Sequence, residues 1–268
     1  MKPFQISIPS KAFNLYPFGD IHWGSPNCNQ NFVRQVVRTV KDDPEGKMVL
    51  MGDLTENAII GSLGDVYKQE KGPQLQVEEL VELLKPVSDK ILFAITGNHE
   101  ERTAKRSDID PSQVICWGLD IPYMRYSCIA RFILTGKGPK SFVCFFHHNT
   151  GGGATPGGKV NKAAKLRNIV PHADAIFSAH THITSSIENA WYDITVGNTG
   201  APKKIKRHGY DYVIGSALEY EDSYADAKAL RPAVCSFIRV RFENNSTGQR
   251  DGRRQIYSVI QPANGGIT

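Results

Sequence analysis

The sequence predicts an α/β fold in which short buried strands alternate with helices, and two observations support this. Five short apolar runs have about the length of a buried strand, and each is followed at once by polar side chains. Stretches with apolar residues at helical spacing lie between several of these runs. Because ligands of open α/β sheets bind at the carboxyl ends of strands, we expect the five strand ends to share one crevice.

The polar residues that follow the five runs are types that commonly bind metals. In chain order, AFNLYPFG precedes Asp20 and His22, KMVLMG precedes Asp53, KILFAITG precedes Asn98, His99 and Glu100, SFVCFF precedes His147 and His148, and DAIFSA precedes His180 and His182. Asp and Asn also begin loops after strands for conformational reasons alone. Turn formation does not explain the histidines that accompany them.

The first two thirds of the chain are typical of repeated β-α units. Residues 31–41 place valines and a phenylalanine on one helical face, and residues 74–87 repeat that spacing. The predicted strands cover 11–18, 47–51, 90–96, 124–134 and 141–146, the last two as a pair. The predicted helices cover 31–41, 57–71, 74–87, 111–119 and 159–170.

The C-terminal third, about residues 191–268, has a different pattern. The segments 191–200, 210–217, 233–242 and 255–261 alternate in polarity and are rich in Val, Ile and Tyr, which predicts mainly antiparallel strands. We find no sequence repeat and no linker. We therefore predict a single domain over residues 1–268.

The composition is typical of a soluble globular protein. Hydrophobic residues make up 40% and charged residues 22%, and no stretch approaches the roughly 18 apolar residues of a membrane span. We read no signal peptide, and the five cysteines form no C-x-x-C pair, so we expect reduced thiols in a cytoplasmic protein without a membrane partner. The net charge of +5 permits a phosphate-bearing partner without requiring nucleic acid.

The mixture of carboxylate, amide and imidazole groups points to the class of metal. Such a set suits Mn²⁺, Fe or Zn²⁺, whereas Mg²⁺ prefers oxygen ligands and a thiolate site would need cysteines. The candidate side chains are too many for one ion. Two ions about 3.5 to 4 Å apart that share one carboxylate would use them all.

The order D-x-H, G-D, G-N-H-E, H and H-x-H resembles the calcineurin-like metallophosphoesterase family over about residues 11–200. The resemblance implies a four-layer αββα sandwich of two mixed β-sheets flanked by helices. It also implies the metal ligands: Asp20, His22 and His182 for one ion, Asn98, one of His147 and His148, and His180 for the other, and Asp53 as the bridge. Of the two adjacent histidines we favour His147, because it follows the apolar run directly.

The same resemblance implies the reaction. A hydroxide bound to the dinuclear centre attacks the phosphorus of a phosphate mono- or diester directly, and His99 acts as the general acid or binds the phosphate. Arg102 is a candidate to clamp the phosphate with its planar guanidinium. The alternatives are a nuclease or cyclic-nucleotide phosphodiesterase, and a scaffold of the same fold without catalysis. The natural substrate and the oligomeric state stay open.

Departures from the family pattern narrow these expectations. Ala179 stands where the family usually has glycine, so the local backbone packing is expected to differ slightly. The Asp-Arg-Gly of protein phosphatases is missing after Asp53, and so is the tyrosine of purple acid phosphatases. Manganese is therefore our preferred metal, with Fe, Zn and Ni as alternatives, and the pattern is similar to metallophosphoesterases of bacteria and bacteriophages.

Two further motifs could indicate phosphate binding or nucleic-acid binding. Gly153–Lys159 matches the G-x-x-x-x-G-K of a P-loop, but Val160 stands where a P-loop needs Ser or Thr. The basic segment 203–207 with Tyr210 and Tyr212 suggests either a nucleic-acid patch or a solvated loop. We favour the solvated loop.

Overall fold

Two β-sheets pack face to face in a computed structural model of the protein, with helices on their outer faces. The structure describes residues 2–62, 66–135, 140–153, 155–196, 200–219, 234–245 and 253–262. The strands are β1 (Lys2–Ile8), β2 (Ala12–Phe18), β3 (Gly46–Leu50), β4 (Ile91–Ala94), β5 (Ser127–Leu134), β6 (Lys140–His147), β7 (Ala175–Ser178), β8 (Ser185–Val196), β9 (Pro202–Val213), β10 (Ser236–Asn245) and β11 (Arg253–Pro262). The helices are α1 (Gln30–Asp42), α2 (Pro73–Leu84), α3 (Asn98–Ser107), α4 (Pro111–Leu119) and α5 (Pro156–Ala164), with short 3₁₀ segments at Lys85–Lys90 and Lys165–Asn168.

Both sheets are mixed. One has the strand order β1-β5-β6-β7-β9-β8 and the other the order β11-β10-β2-β3-β4. Strands β2, β3 and β4 are parallel, as are β6, β7 and β9, whereas β10 is antiparallel to β2. This confirms the predicted α/β sandwich of two mixed sheets, and it directs the carboxyl ends of the motif-bearing strands to one edge of each sheet.

Aromatic side chains fill the space between the sheets. The five-stranded sheet contributes Phe13 and Phe93, and the six-stranded sheet contributes Phe132, Phe146 and Phe177. The rings of Phe146 and Phe177 stack with centroids 4.7 Å apart. Burial of such side chains supplies about 1.5–3 kcal/mol each, so this layer fixes how the two sheets face each other.

Helices cover the outer face of each sheet. Helix α1 buries the predicted apolar face, made of Phe32, Val33, Val36, Val37 and Val40, against the five-stranded sheet. A smaller apolar cluster with Phe145, Leu166 and Ile176 covers the six-stranded sheet. Among the described residues, no helix is both long and apolar enough to cross a membrane.

Several predicted elements were wrong or missing. The predicted helix at 57–71 is absent from the part of it that the structure describes, where Asn57 and Gly61 take positive φ values of 48° and 82°. Strand β1 and helix α3 were not predicted. Helix α3 (NHEERTAKRS) is almost wholly polar, so it shows no apolar periodicity that could have revealed it.

Most strand pairs in the described part of the C-terminal third are antiparallel. Strands β8 and β9 form one hairpin, and β10 and β11 form another. Strand β9 also pairs in parallel with β7, which the sequence pattern did not indicate. The basic segment 203–207 lies within β9 and is therefore not the loop we favoured.

The glycine-rich segment 153–159 has no P-loop geometry in its described part. Helix α5 begins at Pro156, and the Thr155 side chain accepts a hydrogen bond from Gly158 N as the N-cap. Helix α5 therefore already includes Gly157 and Gly158, whereas a P-loop would wrap the backbone amides of this glycine-rich stretch around a phosphate. This agrees with the interpretation from Val160.

Candidate metal centre

The loops that follow β2 and β3 run side by side. The amide of Asp20 donates to Gly52 O at 2.9 Å, and the amides of Ile21 and His22 donate to Asp53 O at 2.8 and 3.0 Å. The hydrogen bonds of the parallel strands thus continue past the strand ends. This pairing brings the first two motifs together.

Two glycines let the third motif approach the second. A side chain at Gly52, whose φ is +82°, would place its Cβ 2.4 Å from Gly97 N. A Cβ at Gly97 would lie 2.2 Å from Asp53 N and equally close to Asp53 Oδ1. Both distances are far below van der Waals contact, so the glycines of G-D and G-N-H-E are needed for this close packing.

Several residues at the site have left-handed backbone conformations that non-glycine residues seldom adopt. The φ values are 48° at Asp20, 50° at His22, 47° at Asp53, 73° at His180 and 53° at His182. Each such conformation costs on the order of 1–3 kcal/mol, and such strain is concentrated at functional sites. The surrounding hydrogen bonds hold it in place, for example from His180 N to Asp20 Oδ2 at 2.7 Å.

Most of the predicted metal residues converge. Three groups have side-chain ligand atoms within 4.8 Å of one another: Asp20 with His22 and His182, His22 with Asp53 and His99, and Asp53 with His148 and His180. Asn98 Oδ1 lies 3.2 Å from His148 Nε2, which connects it to the last group. Asp53 belongs to two of the groups and lies between the Asp20 group and the His180 group.

Unpartnered polar atoms in the cluster fit the binding of metal ions. Among the described residues, Asp20 Oδ1, His22 Nε2 and His180 Nδ1 are buried side-chain atoms with no hydrogen-bond partner. A buried polar atom without a partner costs about 1–3 kcal/mol, so such atoms are rare unless a ligand satisfies them. All three belong to residues whose side chains are types that bind Mn, Fe or Zn.

The structure brings His148, and not the favoured His147, to this cluster. His148 is 4% exposed and its Nε2 lies 3.1 Å from Asp53 Oδ2. His147 instead lies beside Phe145, and its Nδ1 accepts a hydrogen bond from Asn149 N at 2.6 Å. Successive residues of β6 point to opposite faces, so His148 continues the inter-sheet face of Phe146.

Hydrogen bonds behind the histidines orient their rings. The Nδ1 atom of His22 lies 3.1 Å from Glu56 Oε2, and Nδ1 of His148 lies 2.8 Å from Met51 O. In both rings Nε2 is thereby directed into the cluster, an arrangement common in metal sites. Glu56 was not predicted from the sequence, where its only signal is an acidic residue three positions after Asp53.

The Glu100 side chain connects the loops that follow β3 and β4. This carboxylate is fully buried and accepts hydrogen bonds from the amides of Asp53 at 3.0 Å, Thr55 at 2.9 Å and Gly97 at 3.2 Å. Burial and the neighbouring Asp53 raise the pKa of Glu100. Its contacts with amides of two loops give it a structural role that the sequence analysis did not assign.

Charges in the cluster balance one another. Burial alone would raise the pKa of Asp53, but His148, His99 and His22 hold that pKa well below its usual value. Burial alone would lower the pKa of His148, but Asp53 and Asp20 raise it to about 10. Burial alone would raise the pKa of Asp20 as well, but His182 and His148 lower it below its usual value. The neighbouring histidines therefore stabilise the charged forms of both carboxyl groups.

His99 and Arg102 lie beside the cluster. His99 is 18% exposed along its side chain, and its Nδ1 lies 2.7 Å from Glu56 O, so Nε2 is the ring atom left to face a substrate. Burial lowers the pKa of His99 to about 4. Arg102 donates from Nε to His99 O and from Nη2 to Glu56 O, so two nitrogens of its guanidinium group already bond to backbone carbonyls beside the cluster. A phosphate-clamping role for Arg102 stays a prediction.

The chain can be compared with curated proteins and with solved structures. The chain matches no curated protein. Similar solved structures include Vps29 from Chaetomium thermophilum (10% identity, 94% of this chain, 97% of that chain, TM-score 0.42). GAP50, the anchor in the inner membrane complex of Plasmodium, is also similar (10% identity, 96% of this chain, 86% of that chain, TM-score 0.47). So is the nuclease MPE from Pseudomonas putida (10% identity, 91% of this chain, 87% of that chain, TM-score 0.34).

A family-wide sequence comparison covers the motifs themselves. The model of the calcineurin-like phosphoesterases matches residues 15–184, more than half of the 268-residue chain. The matched segment begins in β2 and ends just after His182, so it contains every motif that forms the cluster. This chain belongs to the calcineurin-like phosphoesterase family.

Proposed function

We propose that the protein is a metal-dependent hydrolase of phosphate mono- or diesters, with the cluster around Asp53 as its active site. The observation that supports this most strongly is the set of buried ligand atoms without a partner among the described residues. Asp20, His22 and His182 would hold one divalent ion, Asn98, His148 and His180 a second, and Asp53 both. A manganese pair is our preferred occupant, given the mixed oxygen and nitrogen donors.

Each part of the site would have a distinct task. The bound ions would supply Lewis-acid stabilisation of phosphate charge and an activated water. His99 Nε2 would donate a proton to the leaving oxygen, and the negative charge of a bound phosphate would raise the pKa of His99 toward the range that this needs. Glu56 positions both rings, through its carboxylate at His22 and its backbone carbonyl at His99.

Replacement of Asp53 tests the site. We expect Asp53→Asn, supplied with Mn²⁺, to hydrolyse an aryl phosphate ester more than about 100-fold more slowly, because even outer partners of metal ligands contribute up to about that factor. Asp42→Asn, at an exposed aspartate at the end of α1, is the matched control and should keep full activity. Undiminished turnover by Asp53→Asn would refute the proposed active site.

Replacement of His99 tests the acid role. We expect His99→Ala to keep its metal content and to lose about 10²- to 10⁴-fold in rate, most for esters with poor leaving groups. A set of aryl phosphates of graded leaving-group pKa, together with metal analysis, provides the measurement. Equal slowing across the set would argue against proton donation, and loss of metal would identify His99 as a ligand.

The alternative functions are distinguished by the substrates. A nuclease or cyclic-nucleotide phosphodiesterase would prefer a bis-ester, whereas a phosphatase would prefer a monoester. A scaffold without catalysis would turn over neither substrate in Mn²⁺.

We also propose a cytoplasmic location, because the five cysteines are free and four of them are buried, as expected of reduced thiols.

A further inference from the structure

A groove opens beside the candidate metal centre. One wall is helix α3, and the other is the segment 123–127 that leads into β5. Its volume is about 730 Å³, within the range of small-molecule sites. The groove is separate from the cluster of metal-binding side chains, and the proposed mechanism does not use it.

Both walls of the groove begin next to residues of the metal centre. On α3 the lining residues Glu101, Ala104, Lys105 and Asp108 form one helical stripe, and Asn98 is one turn before its start. On the other wall, Ser127 pairs with His147, the residue before His148. A substrate with its phosphate at the cluster could therefore extend along the groove for about 15 Å, the rise of ten helical residues.

The second wall presents an aromatic ring. Tyr126 is 44% exposed, and the Arg125 guanidinium lies 4.9 Å from its ring centroid. Arg125 takes a left-handed conformation with φ 61°, and its carbonyl accepts a hydrogen bond from Thr96 N at 2.7 Å. This strained turn is thus tied to the chain that leads from β4 to Asn98.

The polar lining suits one planar group better than an anionic chain. Three carboxylates, on Glu101, Asp108 and Asp110, face only two cations, on Lys105 and Arg125. The excess of negative charge disfavours a row of phosphates. Carboxylates accept hydrogen bonds from amino groups, and the Gln113 amide can both donate and accept, as the edge of a base requires.

We propose that this groove binds the nucleoside part of a phosphoester substrate, with the base on Tyr126 and the phosphate at the metal centre. The inference rests on the proposed function and narrows it to nucleotide-like esters. Tyr126 supplies the aromatic face, because every base can stack on such a ring. Asp110 supports the wall of the groove, because its carboxylate accepts hydrogen bonds from the Tyr123 hydroxyl and from Ser112 N at the start of α4.

Direct binding is the first test, made without metal so that it does not depend on turnover. Saturation-transfer NMR with adenosine and EDTA-treated protein should show saturation of the base protons, and ribose alone should show none. Tyr126→Ala should bind adenosine about tenfold more weakly, the effect of losing one stacking partner. Tyr126→Phe keeps the ring and should bind normally, as should Tyr192→Ala, at an exposed tyrosine of β8 outside the groove.

Turnover in Mn²⁺ is the second test. Tyr126→Ala should lower about tenfold the ratio of kcat/KM for the p-nitrophenyl ester of thymidine 5′-phosphate to kcat/KM for p-nitrophenyl phosphate. If the wild type hydrolyses the simple ester but binds no nucleoside, or prefers a phosphopeptide, the groove assignment is overturned and the proposed function stands. If it binds adenosine but hydrolyses neither ester, the proposed function fails and nucleoside binding by the groove is retained.

Discussion

At the scale of single residues, side-chain direction decides which of two adjacent histidines lies in the candidate metal centre. The preference for His147 considered only its distance from the apolar run. In an extended strand the alternation of side chains matters more, and it places His147 with Phe145 and His148 with Phe146. The sequence does not show which face of β6 packs between the sheets, because Phe145 and Phe146 are both apolar and only the structure separates them.

The difference between the two histidines is testable. We expect added Mn²⁺ to raise the Tm of the wild type and of His147→Ala, because an ion that binds only the folded state stabilises it. His148→Ala should lose most of that increase, since it removes one ligand and leaves Asp53 without this partner at 3.1 Å. Differential scanning fluorimetry with Mn²⁺ and with EDTA provides the measurement. The opposite pattern would restore His147 as the ligand.

Glu56 and Glu100 illustrate a second limit at this scale. Glu100 is fully buried and Glu56 is partly buried, and both bond to the motif loops, Glu56 to His22 and Glu100 to three backbone amides. The spacing of ligand-type residues identifies candidates for the site, but it contains no information about the residues behind them. Their roles depend on contacts between loops that are 34 or more positions apart.

At the scale of elements, the turn between α1 and β3 depends on one carboxylate. Asp43 Oδ2 accepts hydrogen bonds from Asn14 Nδ2 at 2.7 Å and from the Tyr16 hydroxyl at 2.8 Å, and Oδ1 accepts from Glu45 N at 2.9 Å. These contacts join the turn to β2, the strand that leads to Asp20. Partial burial would raise the pKa of Asp43, but the bonds from Tyr16 and Asn14 outweigh it and lower the pKa below its usual value.

This network predicts a pH-dependent difference in stability. A carboxyl group with a lowered folded-state pKa contributes stability above its unfolded pKa of about 3.9, and that contribution is lost as the pH falls through the folded pKa. We expect Asp43→Asn to lower the free energy of unfolding by about 1–3 kcal/mol at pH 7, and by progressively less below about pH 4. Urea denaturation at several pH values measures this, with the exposed neighbour Asp42→Asn as control. A difference that does not change with pH would contradict the assignment.

The elements with strong patterns were predicted well, and the others were not. Helix α1 matches its prediction because its five apolar residues lie on one face. Helix α3 was missed because its interactions are polar: Glu100 accepts from Gly97 N at its start, and Lys105 pairs with Glu101 at 3.0 Å on its surface. The apolar periodicity that reveals most helices reports burial, and α3 buries only Glu100.

At the scale of the whole molecule, the candidate metal centre lies where the two sheets meet. Asp20, His22, Asp53 and Asn98 follow strands of the five-stranded sheet, whereas His148, His180 and His182 follow strands of the six-stranded sheet. The aromatic layer between the sheets therefore fixes the distance between the two halves of the site. The hydrogen bond from His180 N to Asp20 Oδ2 joins them directly.

The sequence by itself determined the fold class, the order of the motifs and the residue types at the site. Strand ends and their polar residues are local in the chain, and the carboxyl ends of parallel strands must meet at one edge. Only the tertiary structure decided that His148 enters the cluster, that Glu56 and Glu100 support it, and that α3 and Tyr126 enclose a groove beside it. Those features arise from side-chain direction and from contacts between distant segments, and neither is encoded in the spacing of residues along one strand.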